Sequence, residues 1–301
     1  MKNFQVKFYF FFSLLAMLSN FAFANNRVPK FETTRMKSTA GAGVASILMD
    51  EATLLNPATI AYYNQGGIFF QRSGIDSTRT QGSVPETQEF SSMSIIASDS
   101  KGPTGGSLSY NTVDYRGQKV QKISSAFARP IGEKSSFGAN FSYLKEEIFN
   151  QNNVLEKNDY KVMNFGVAHA LSESFTMGFV VNDPFKEKVD ETRAIAGIQY
   201  VFKGFFSLMF DAGADYNQDL SQTVFWKAAS QLKIFSDFFI RFGTYRDKGL
   251  QEKGTGAGVG WLQPRLVMEL AVKNTQVLES LALNQTSEDI KETSFSLSYR
   301  F

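Results

Sequence analysis

Ser294-Phe-Ser-Leu-Ser-Tyr-Arg-Phe301 closes the chain. Phe295, Leu297, Tyr299 and Phe301 fall on one parity, and Ser294, Ser296, Ser298 and Arg300 on the other. Side chains of a β-strand point alternately to opposite faces, so this octet has one aromatic face and one polar face. A soluble sheet shows the same alternation. A strand that stops on its aromatic residue, with no polar tail behind it, is less ordinary.

The opposite end reads as a secretory signal. Lys2 and Lys7 supply a basic start, Phe8 to Leu18 is an apolar run, and Ala22-Phe-Ala24 is a small-x-small cleavage site before Asn25. The run is shorter than the roughly twenty apolar residues of a membrane-spanning helix. The chain contains no cysteine, which excludes a disulfide scaffold and a lipoprotein. The domains expected are therefore a signal peptide (1–24), an N-terminal segment (25–65) and a β domain (66–301).

Residues 1–24 hold two lysines and no acid, so removing them from a chain with 31 basic and 29 acidic residues leaves a nominally neutral protein. Nothing in that balance points to nucleic acid. A mean hydropathy of −0.19 excludes a bundle of membrane helices. It is compatible with a membrane barrel, where only alternate strand residues meet lipid. Aromatic residues at 14%, with 30 Phe, suit the lipid face and girdles of such a barrel.

Alternating segments recur along the chain, near 66–73, 90–98, 105–112, 118–129, 136–146, 159–171, 175–182, 192–202, 205–216, 222–234, 237–246, 254–262, 264–273 and 293–301. The clearest places Phe137, Ala139, Phe141 and Tyr143 on one face. This gives about fourteen strands, an even number. The connections then separate barrel from sandwich. Links such as 130–134, 172–174 and 203–204 are short. Links such as 73–89, 147–158, 183–191, 247–253 and 274–292 are long and polar. A transmembrane barrel alternates short periplasmic turns with longer external loops, whereas a sandwich has no reason to. The fold expected is all-β: an antiparallel transmembrane β-barrel of about fourteen strands.

Residues 36–61 differ in kind. Val44, Ile47, Leu48, Leu54 and Leu55 fall roughly at helical spacing, and Asn56-Pro57 is expected to end that helix. Its apolar face needs cover, and the barrel lumen is the available place.

Gly41-Ala-Gly43-Val44-Ala45, the acidic pair Asp50-Glu51, and Asn56-Pro57-Ala58 resemble the N-terminal signature of the FadL-type long-chain fatty-acid transporters and their PorV-like and TraF-like relatives. The family glycine after Asn-Pro-Ala is Thr59 here. The resemblance implies a hatch plugging a fourteen-stranded barrel, with Gly41, Gly43, Asp50, Glu51, Asn56, Pro57 and Ala58 in it. The closing strand likewise resembles those of bacterial outer-membrane barrels, which implies that Phe295, Leu297, Tyr299 and Phe301 form the signal read by the barrel assembly machinery. Expected partners are outer-membrane lipid, that machinery and a hydrophobic small molecule, in the outer membrane of a Gram-negative (diderm) bacterium.

Catalytic and metal constellations are weak. Gly41-x-Gly43 follows no strand and completes no phosphate-binding motif. His169, the only histidine, follows the parity of Met163, Phe165 and Val167 toward the outer face. One His and no Cys leave little for a transition metal. Asp211 and Asp215 are expected in the lumen, paired with Lys227 and Arg241. Trp226, Trp261, Tyr200, Tyr216 and Tyr299 suit interfacial girdles. No enzyme and no cofactor are expected. Three functions stay open: a plugged channel for small hydrophobic molecules, a PorV-like scaffold binding an exported protein, and a polar porin. Val277, Leu278, Leu281, Ala282 and Leu283 in the last loop favour the first. The other, charged loops favour the second.

Overall fold

The computed structural model describes residues 29–47, 51–81, 84–149, 155–235, 237–280 and 286–301. The signal-like segment with Ala22 and Ala24, Asp50, and the apolar loop residues 281–283 lie outside the described residues. Fourteen strands run β1 Gly66–Gln81, β2 Val84–Asp99, β3 Gly105–Tyr115, β4 Gln118–Ile131, β5 Ser135–Phe149, β6 Leu155–Ser172 and β7 Phe175–Asn182. They continue as β8 Arg193–Phe202, β9 Phe206–Ala214, β10 Phe225–Lys233, β11 Phe238–Asp247, β12 Glu252–Leu262, β13 Leu266–Val277 and β14 Glu288–Arg300. Each pairs with its sequence neighbours, and β1 pairs antiparallel with β14, so the sheet closes into a barrel. The fold expected from the alternation is the fold observed.

The strands differ from the sequence reading mainly at one end. β1, β2, β5, β6, β13 and β14 run on into stretches read as external loops. Outward residues there are polar, for example Asp76, Glu89, Asn274 and Lys291, while the alternation of buried and exposed positions persists. Above the lipid no apolar outer parity is required, so the sequence loses its period-two hydrophobic signal while the ladder continues. The long/short rhythm also has an exception. β3 and β4 join at this same end through Arg116-Gly117 alone, at φ 50° and 74°. Positive φ at both central residues is the geometry of a two-residue hairpin turn whose twist matches the strands.

Outward-facing Phe70, Ile95, Leu108, Phe141, Phe179, Phe210, Phe242, Leu270 and Phe295 are exposed and form an apolar belt. Among the described residues no helix is long and apolar enough to cross a membrane. Phe301 completes the belt at the short-turn end, where its N–H and carbonyl each bond Gly66 at 2.9 Å. Inward positions at mid-height are small and polar, among them Ser73, Ser94, Asn111, Ser124, Asn140 and Ser294, all buried.

The N-terminal segment lies against these inward residues. It contains a short helix α1 (Thr34–Ser38) and a 3-10 helix (Pro57–Tyr62), and the described residues between them form turns and bends rather than the helix expected over 44–55. Positive φ at Ala40, Gly41 and Gly43 breaks the helical path. Asn56-Pro57 starts a helix instead of ending one. The Asn56 side chain accepts from Ala58 N at 3.1 Å and Pro57 takes the first turn, where its missing N–H leaves no bond unmade. Val44 and Leu55 do meet, packing with Val180, Ile195 and Phe225.

Candidate functional site: the lumen segment and the chamber above it

The barrel wall holds the N-terminal segment through side chains that reach inward to its backbone. Asp211 on β9 accepts from Gly43 N at 2.7 Å and Val44 N at 3.1 Å. Lys227, its register partner on β10, donates to Gly41 O at 3.0 Å. The two adjacent glycine-bracketed peptides are thus clasped by an acid and a base from neighbouring strands. Thr176 Oγ1 donates to Ala45 O, Asn140 Nδ2 to Thr53 O and Ser136 Oγ to Ala58 O, all at 2.8–2.9 Å. Asn56 Nδ2 donates to Val44 O at 2.8 Å and to Val167 O on β6 at 3.2 Å. One amide therefore ties the two halves of the segment to each other and to the wall. Thr59 is buried, and its hydroxyl donates to Asn56 O at 2.9 Å.

Ion pairs complete the docking. Glu32 meets Lys273 of β13 at 2.6 Å, and Lys37 of α1 meets Glu292 of β14 at 2.6 Å. Lys37 also donates to Ser73 on β1, and the Thr34 hydroxyl touches both Gln71 on β1 and Ser294 on β14. Helix α1 therefore spans the β1–β14 seam from inside. Removing one member of such a buried pair costs roughly 3–5 kcal/mol, because the other charge is stranded. Burial pushes the Glu32 carboxyl up, but the ammonium of Lys273, with Lys227 and Lys37 behind it, outweighs that and holds it below its ordinary value. Glu51 is the reverse case. Burial lifts its carboxyl to about 7 although Arg35 stands 3.9 Å away and Thr33 donates to it at 3.0 Å.

The sequence-selected residues Gly41, Gly43, Glu51, Asn56, Pro57 and Ala58 thus sit in one lumen segment, with Asp50 outside the described residues. Asp211 and Asp215 do not converge. Asp215 accepts from Thr192 Oγ1 at 2.7 Å and Asn217 N at 2.8 Å. Arg241 pairs across the wall with Glu269 at 2.8 Å rather than with either aspartate. His169 shares a hydrogen bond with Ser135 at 2.8 Å near the short-turn end. Tyr200, Tyr299 and Trp226 face outward, whereas the Tyr216 hydroxyl donates to Asn182 O and Asp183 O and ties two loops together.

Two features escaped the sequence reading. The first is a row of wall glycines. At Gly138, Gly166, Gly178, Gly243 and Gly256 a Cβ would lie between 2.0 and 2.5 Å from an atom of the N-terminal segment, too close for any side chain. Glycine inside a strand marks close approach of another backbone, and that signal was present in the sequence. The second is an apolar layer inside the barrel toward the long-loop end. Inward-facing Ile75, Val113, Val120, Leu144, Val277 and Ile290 are buried together with Tyr115, and Phe31 of the N-terminal segment packs on them with Phe90 and Tyr160. Ile75, Val113, Tyr115, Val277 and Ile290 come from stretches read as loops, which hid their parity, whereas Val120 and Leu144 fall within the strands expected at 118–129 and 136–146. The connection between β7 and β8 folds across the same mouth, where Lys188 meets Glu146 at 3.0 Å and Glu191 meets Lys122 at 3.6 Å. A cavity of about 50 Å³ lies beside Glu32, Lys227, Tyr245, Lys273 and Ile290. Benzene occupies an apolar cavity of roughly 150 Å³, so this space takes a few waters and no more.

A closed fourteen-stranded barrel with its own N-terminal segment packed inside defines the class. No protein-family model matches the chain, and no curated protein matches it by sequence. Solved structures do. The chain is similar to the CymD monoaromatic hydrocarbon channel, with a TM-score of 0.71 at 12% identity, covering 89% of this chain and 97% of that one. It is similar to the toluene transporter TodX of Pseudomonas putida, with a TM-score of 0.68 at 9% identity over 90% and 98% of the two chains. A Pseudomonas aeruginosa FadL homologue follows, with a TM-score of 0.58 at 13% identity over 92% and 99%. The fold is that of the FadL-type barrels.

Proposed function

We propose that this protein is a non-enzymatic outer-membrane channel of a diderm bacterium, passing small hydrophobic molecules and held shut at rest by residues 29–63. One observation carries the reading: the apolar layer around Phe31, just inside the long-loop mouth. A porin for polar solutes keeps a polar lumen, whereas an apolar layer there takes apolar surface out of water. The likeness to hydrocarbon channels and a FadL homologue supports the same reading. A hydrophobic molecule enters from the loop side, displaces Phe31 and settles among Val113, Leu144 and Ile290. It then advances where the segment around Asn56-Pro57 yields. Sideways exit is less suited to this wall. β7 ends at Asn182 and leaves the edge of β6 that faces it without a strand partner beyond Asn164, while β5 still pairs with β6 there; the outward residues beside that notch are Asp159 and Lys161, above the belt.

Uptake of toluene into cells carrying either wild-type protein or Leu144→Asp tests the proposal. Leu144→Asp is expected to abolish uptake above the level of cells lacking the protein, with unchanged heat-modifiable mobility in the outer-membrane fraction. Unchanged uptake at equal abundance overturns it.

A further inference from the structure

Around the upper edge of the apolar belt, several outward basic residues face acidic ones. Lys119 on β4 lies across from Asp114 on β3, and Lys291 on β14 from Asp76 on β1, which has Glu89 of β2 on its other side. On β5 and β6, Lys145 lies across from Asp159, and Glu147 meets both Lys145 at 2.9 Å and Lys157 at 3.5 Å. The β11–β12 pair departs from this pattern. Arg246 and Lys253 are direct register partners, both exposed on the outer face. Like charges placed directly opposite destabilise a strand pair. Among the described residues neither has an ion-pair partner. Their row continues to Trp226 on β10 and Gln276 on β13, and Thr244 and Thr255 face each other one outward step below. Belt residues Phe242 and Ala257 come next, so the pair sits where lipid tails give way to headgroups. Tryptophan at that level is the usual interfacial anchor.

We infer that Arg246 and Lys253, with Thr244, Thr255 and the Trp226 ring, form a docking site for the phosphate of an anionic lipid headgroup in the leaflet at the long-loop end. A phosphate between the two cations turns their repulsion into two charge-assisted contacts, and an arginine fork matches its oxygens. The acyl chains would then run down over Trp226, Phe242 and Val259, all exposed. The site lies on the outside of the wall and is independent of what passes through the lumen.

The test uses full-length purified protein in detergent, titrated with diphosphorylated lipid A, with its dephosphorylated form and with inorganic phosphate, and read by native mass spectrometry. Retention of the diphosphorylated lipid is expected, and should weaken at least tenfold in Arg246→Gln/Lys253→Gln. The paired-rim control Lys145→Gln/Lys157→Gln should match wild type, and Lys253→Arg should preserve binding. Loss with raised salt should accompany the wild-type signal. Equal retention by the double variant, equal retention of the dephosphorylated lipid, or equally tight inorganic phosphate overturns the lipid site. Heat-modifiable mobility of every variant certifies the fold.

Discussion

Gly256 carries no side chain where the carbonyl of Lys37 lies, 2.0 Å from the place a Cβ would occupy. That oxygen belongs to backbone and cannot swing aside. Gly256→Ala should therefore destabilise the protein by roughly 1–3 kcal/mol, the range for overpacking. Gly74 faces open space, so Gly74→Ala should be neutral or stabilise by up to about 1 kcal/mol. Urea midpoints in detergent distinguish the two, and equal midpoints would mean that the segment does not press on the wall. Glu51 offers a second residue-scale test. Burial raises its carboxyl from 4.5 to about 7, with Arg35 and Arg241 opposing and Glu269 reinforcing. Between those values the folded form holds a proton that the unfolded chain releases. The group's contribution is thus most favourable below about pH 4.5 and falls as pH rises to about 7, by at most about 3 kcal/mol. Hydrogen exchange of residues 29–63 should quicken from pH 5 to 7.5 beyond the intrinsic change, and Glu51→Gln should flatten that excess. The strand glycines and Asp211 were visible in the sequence. What they touch was not, because contacts made across eighty residues or more leave no local periodicity.

At the scale of elements, Asn56-Pro57 shows how a correct motif carries an ambiguous meaning. Proline ends a helix that precedes it and starts one that follows, and local sequence does not choose between the two. The choice falls to the starting role because Asn56 both caps the 3-10 helix and spends its amide on Val44 O and Val167 O. Asn56→Ala should cost about 1–2 kcal/mol from the cap alone and expose residues 39–63 to protease while the barrel keeps its heat-modifiable mobility. Failure to assemble would instead make the motif purely a folding element. The closing strand was the most legible element, since its outer parity has only lipid to satisfy. Its last residue also pairs with Gly66, whose missing side chain leaves room for the Phe301 ring. Phe301→Asp should lower the amount of assembled barrel rather than alter the assembled product, as measured by membrane levels of the heat-modifiable form.

For the whole molecule, strand number and closure were readable because lipid imposes one simple rule on every strand at once. Height above the lipid was not readable, for beyond the belt the rule lapses and strand looks like loop. That is where Ile75, Val113, Val277 and Ile290 of the apolar layer were hidden. Deleting residues 29–63 removes both the packed segment and Phe31, and should convert a silent barrel into one that conducts steadily in planar bilayers. A silent deletion would mean that the wall side chains fill the lumen unaided. Helix α1, whose Thr34 and Lys37 each hold β1 and β14 together, carries a further consequence for biogenesis. The seam is the one strand pairing made between the two ends of the barrel sequence, so it has the largest loop to close. A helix already seated on β1 presents β14 with a ready template, and shortens the search that the final pairing requires. The segment that fills the lumen then also templates closure of the wall, and chains lacking it should reach the heat-modifiable form more slowly even where they reach it in full.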